Sequence, residues 1–143
     1  MKGKLKNQSG TAIVEFAIVL PLLFLILMGI IEFSLVLYDK AILTNASREG
    51  SRAGIVSQNP RLTDGEIRTI VKNYCKNFLI TFGSDTLEDA DIIISPASRD
   101  GLPFGSDLTV TVNYRYDFLA LPKFMTTAIG PINLGAQTVM KLE

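Results

Sequence analysis

The 143-residue chain contains no histidine and only one cysteine, Cys75. Without histidine the commonest catalytic base and metal ligand is missing, which argues against an enzyme. A single cysteine cannot close an intramolecular disulfide, so a domain outside the cytoplasm would be held by packing alone. Net charge is lacking too. Fourteen lysines and arginines balance 14 acidic residues, so no field of one sign points to nucleic acid or an acidic substrate. The balance hides an asymmetry: Lys2, Lys4 and Lys6 sit in the first ten residues, and the remainder is net −3. There is no phosphate-cradling loop and no paired-cysteine cluster. Asp85, Glu88, Asp89 and Asp91 lack the spacing of a calcium loop and read as a solvated turn, as does Arg99-Asp100-Gly101. No cofactor, metal, nucleic acid or small-molecule substrate is expected.

Charge is absent most completely from Phe16 to Ile31, FAIVLPLLFLILMGII, between Glu15 and Glu32. About 20 helical residues cross a hydrocarbon core of about 30 Å, so the run fits one membrane span with a glutamate near each interface. The basic leader places the N-terminus in the cytoplasm and the rest of the chain outside. Pro21 removes one backbone donor, and a kink or local melting is expected there. A secretory signal peptide is the competing reading. Against it stand the length of the run, Glu15 at its mouth, and no small-residue cleavage site directly after it. An uncleaved anchor carrying a binding domain is a further alternative.

Beyond the span the helical signal continues to Gly54. Ala46, Gly50 and Gly54 recur every four residues on one face, where small side chains admit a second backbone. That face serves either packing within the chain or contact with another subunit. Arg48, Glu49 and Arg52 read as a solvated, ion-paired face. After a loop at 57–61, Thr63 and Glu66 form a capping box. Ile67, Ile70, Val71, Tyr74, Cys75, Phe78, Leu79 and Phe82 then make a helical stripe that Gly83 would stop. Cys75 lies in that stripe and reads as core, not nucleophile.

The remainder is β. Ile92–Ser95 is a short strand, residues 108–118 alternate apolar with polar, and 134–142 do so more weakly. An α+β fold follows: a long N-terminal transmembrane helix, then an amphipathic helix packed on a small antiparallel sheet of about three strands. The expected division is 1–10 basic leader, 11–38 transmembrane and assembly helix, and 39–143 extracytoplasmic domain. The connection LALPKFMTTAIGP, residues 119–131, is unusually apolar. It either folds onto the core or rests on the bilayer or a neighbour.

A basic leader ending in Gly10, with Glu15 fifth after it and an apolar helix behind, resembles the class III signal of type IV pilins and pseudopilins. More narrowly, Gly10–Pro21 (GTAIVEFAIVLP), Gly29–Phe33 (GIIEF), Asn45–Arg52 (NASREGSR) and the closing AQTVMKLE resemble the TadE-like family. These are pseudopilins or minor pilins of tight-adherence (Flp-type) pilus machinery. The resemblance implies cleavage after Gly10 by a membrane prepilin peptidase, with Thr11 as the new N-terminus. Thr11 stands where other pilins commonly have an aromatic residue. Glu15 would then pair with the α-amine of Thr11, often that of a neighbouring subunit, which offsets the cost of a buried carboxylate. Gly10, Thr11 and Glu15 are the implied processing residues. Glu15, Phe16, Pro21, Gly29 and Glu32 are the candidate helix-assembly residues. The implied partners are the membrane, the peptidase, other pilin or pseudopilin subunits and the assembly platform.

Overall fold

A computed structural model of the chain describes residues 8–58, 60–81 and 87–143. The lysine leader, Phe82, Gly83 and Asp85 lie outside the described residues. Among those described, one helix is long and apolar enough to cross a membrane. This is α1, Gln8–Ile55, 48 residues without a break. At ~1.5 Å per residue it is about 72 Å long, more than twice a hydrocarbon core. Pro21 sits inside it and the helix continues through that point. Proline carries no N–H, so the Ala17 carbonyl loses its helical donor there, and the flanking apolar residues remain good helix formers.

From Gly10 to Phe24 every α1 residue is exposed. Burial begins at Glu32 and recurs at Asp39, Ile42, Leu43, Ala46, Ser47, Gly50, Ser51 and Gly54, one face at helical spacing. The helix therefore enters the domain near Glu32 without any change of backbone at Tyr38.

The domain is an α+β layer. α2, Asp64–Phe78, starts on the expected capping box: the Glu66 N–H donates to Thr63 Oγ1 and the Thr63 N–H to Glu66 Oε2. The Thr63 N–H and then the Thr63 hydroxyl, both donating to Glu66 Oε2, hold the Glu66 carboxyl below the usual range. A single 3-10 turn at Asp89–Asp91 leads into β1, Ile92–Ser95, followed by β2, Asp107–Tyr116, a short α3, Lys123–Ile129, and β3, Ile132–Lys141. The sheet is antiparallel in the order β1-β2-β3. Its register pairs Ile94 with Val110, Leu108 with Met140 and Tyr116 with Ile132. Leu108, Val110, Val112, Tyr114 and Tyr116 point into the core, as the alternation requires.

Three elements differ from the sequence expectation. α2 ends at Phe78, because Leu79 caps it and the Ile80 N–H turns away to Asp39 Oδ1 at 3.0 Å. β2 ends at Tyr116 instead of 118, since the backbone donors that follow face Glu32. The apolar connection holds α3, which shows no helical stripe. The sheet is covered jointly: α1 packs on β2 and β3, and α2 lies mainly beside α1.

Candidate functional site

The expected site residues fall into three groups along α1. Gly10, Thr11, Glu15, Phe16 and Pro21 form the first, all exposed. Glu15 makes no ion pair among the described residues. A β-carbon added at Gly10 or at Gly29 would meet nothing within 4 Å. Packing inside the chain therefore places no demand for glycine at either position.

The second group is Ala46, Gly50 and Gly54, and it packs within the chain. A β-carbon at Gly50 would stand 2.5 Å from Val71 Cγ2; at Gly54 it would stand 2.6 Å from Leu108 Cδ2 and 2.8 Å from Ile67 Cδ1. These glycines let α2 and the sheet approach the α1 backbone directly. On the same face Ser47 Oγ lies 2.7 Å from Thr138 Oγ1 and donates to the Thr44 carbonyl, so its buried hydroxyl is satisfied. Arg48, Glu49 and Arg52 are exposed on the other side.

Glu32 is the third group, and its surroundings were not visible in the sequence. The side chain is 3% exposed. Tyr116 Oη donates to Oε1 at 2.6 Å, and the backbone N–H of Leu119 donates at 3.0 Å. Ala120 and Leu121 N–H groups donate to Oε2 at 2.5 and 3.2 Å. Three consecutive amides and one phenol thus cradle a single carboxylate, the arrangement that binds anions in backbone nests. The Tyr116 phenol titrates far above its ordinary value, through burial first and then the hydrogen bond to Glu32. The sequence reading placed Glu32 among the helix-assembly residues; in the structure its carboxylate bonds to the chain's own β2–α3 connection. The one available signal was a carboxylate ending an uncharged run together with a tyrosine ending an apolar β stripe.

Two other buried charges brace the domain. Asp39 is fully buried, its Oδ1 holds the exit of α2, and Oδ2 has no partner among the described residues. Arg99, read from sequence as part of a turn, is 4% exposed and donates to Asp64 Oδ1 and the Leu62 carbonyl. It ties the β1–β2 loop to the start of α2. Cys75 is buried, and desolvation with the nearby Asp39 carboxylate pushes its thiol up to about 11. No three histidine, cysteine or acidic side chains converge among the described residues. The arrangement orients a domain on a helix; among the described residues it brings no nucleophile and base into contact.

Residues 10–52 match the family model described as TadE-like protein. The match takes in the exposed span, Glu32 and most of the small-residue face, and leaves the sheet outside. Comparison with curated proteins found no match. Comparison with solved structures found none either.

Proposed function

We propose that this chain, TadE-like over residues 10–52, is a pseudopilin-type subunit acting in assembly or initiation of a tight-adherence pilus. It is inserted in the bacterial inner membrane with its N-terminus cytoplasmic and the α+β domain on the far side. A prepilin peptidase removes residues 1–10, and the helix from Thr11 associates with other pilin or pseudopilin helices. The observation that carries this reading is the state of α1 from Gly10 to Phe24: exposed, apolar, and carrying one carboxylate with no ion pair among the described residues. A glutamate in lipid costs about 2.5–3.5 kcal/mol near the bilayer centre and less toward an edge. The α-amine of a processed neighbour would offset that cost by direct pairing. Glu15 lies four residues from Thr11, one helical turn, so the pair fits either within a chain or between two chains side by side.

The test is the mass of the protein extracted from membranes with and without the peptidase. The expected chain begins at Thr11 only when the peptidase is present, and Gly10→Ala abolishes the shortening. Glu15→Ala is expected to be cleaved yet to block pilus formation. Mature material that retains Met1, with pili intact in the Glu15→Ala strain, sinks the reading in favour of an uncleaved anchor.

A further inference from the structure

The connection between β2 and β3 sits at a definite level on α1. β2 runs antiparallel to α1, with Leu108 against Gly54 at one end and Tyr116 bonded to Glu32 at the other. Those two levels are about 33 Å apart along a helix rising ~1.5 Å per residue. Residues 117–131 therefore leave the sheet at the end of the domain nearest the uncharged span. Cover on α1 also reaches below Glu32. Leu25 and Met28, which share its face, are half-buried, whereas everything from Gly10 to Phe24 is exposed.

The composition and hydrogen bonding of this end are unusual for a surface loop. Between Phe118 and Ile132 the only charged residue is Lys123. Phe124 is 71% exposed and Ile129 54%. The Thr126 and Thr127 hydroxyls both donate to the Lys123 carbonyl. The Met125 and Thr126 N–H groups donate to the Pro122 carbonyl, and that of Gly130 to Thr126. The amides of Leu119, Ala120 and Leu121 are taken by Glu32. The donors named here are satisfied within the protein, which lowers the cost of bringing this segment to the edge of the hydrocarbon.

We propose that α3 and its flanks, Leu121–Ile132, rest in the headgroup region of the leaflet on the domain side. Phe124 and Ile129 reach the acyl boundary, and Lys123 meets lipid phosphate. The occupant is a lipid surface, because the patch is continuous with the end of a span that itself lies in lipid. This rests on membrane anchoring by α1 and is independent of cleavage or pilus assembly.

The chain has no tryptophan, so Phe124→Trp creates a single tryptophan in the full-length protein, excited selectively over the four tyrosines. Phe104→Trp is the reference: that side chain is 86% exposed, beside the Gly105–Leu142 backbone contact at the opposite end of the domain. Both variants are reconstituted in phosphatidylcholine–phosphatidylglycerol vesicles with and without lipids brominated high on the acyl chain. Slow modification of Cys75 confirms that each is folded. The expected result is blue-shifted emission from Phe124→Trp and a roughly twofold loss with brominated lipid, with Phe104→Trp red and unquenched. Emission from Phe124→Trp as red and unquenched as the reference overturns the proposal. So does blue-shifted emission that brominated lipid leaves intact and dilution with lipid abolishes, which would assign the patch to a second copy of the chain.

Discussion

The Tyr116 hydroxyl donates to the Glu32 carboxylate at 2.6 Å, joining the end of a β-strand to the long apolar helix α1 across 84 residues of chain. With the amides of Leu119, Ala120 and Leu121 on the same carboxylate, this is the lowest tie between the sheet and α1. Removing the phenol oxygen deletes one hydrogen bond to a charged group. Removing the carboxylate leaves four donors without their common acceptor beside a buried helix position.

Tyr116→Phe is accordingly expected to lower the stability of the domain by about 1.5–3 kcal/mol, and Glu32→Ala by more. Glu32→Gln should fall between them, since an amide accepts through one oxygen only. Thermal unfolding of the full chain in detergent, followed by near-ultraviolet circular dichroism, orders the three. Equal melting of wild type and Glu32→Ala would contradict the cradle.

Gly50→Ala and Gly54→Ala each force a methyl group into contacts of 2.5–2.8 Å. A loss of about 1–3 kcal/mol is expected for each, as for other overpacked cores. Gly29→Ala, with open space at its β-carbon, should melt like the wild type. If the two inner glycines tolerated alanine equally well, the close approach of α2 to α1 would be wrong.

The raised Cys75 thiol makes stability depend on alkaline pH in a definite direction. The folded pKa, about 11, lies above the ordinary 9.0, so the folded state holds this proton more tightly than the unfolded state. Its contribution is complete below about pH 9 and drains away toward pH 11, by up to about 1.4 kcal/mol per pH unit. Cys75→Ala should remove that part of the slope in denaturation series run across this range. At pH 8 native Cys75 should react with an aqueous thiol reagent about a hundredfold more slowly than the unfolded chain, in line with the two-unit rise.

Much of this architecture was legible because its causes are local. The Thr63–Glu66 capping box, the alternation of β2 and the position of Cys75 within a helical stripe each follow from neighbours a few residues away. The partners of Glu32 do not. Three of its four donors are backbone amides, which every residue but proline carries, and they reach it only after the chain has formed a sheet. α3 escaped notice because seven residues carry too few turns for a periodic signal. The Ala46–Gly50–Gly54 face was visible as a place of close approach, but a small-residue stripe looks the same whether the backbone it admits is its own or another's. Val71 and Leu108 decide that question, and neither is near it in sequence.

The unbroken course of α1 also sets a compass bearing. Glu15 and Glu32 are 17 residues apart on one continuous helix. At ~100° per residue that separation falls about 100° short of five full turns. Glu15 therefore points roughly a quarter turn away from the side on which the domain hangs. A helix that docks against Glu15 comes in beside the domain, not beneath it. Adding or removing a single residue between the two glutamates would swing that approach around the axis, leaving every contact of the folded domain beyond Glu32 as it is.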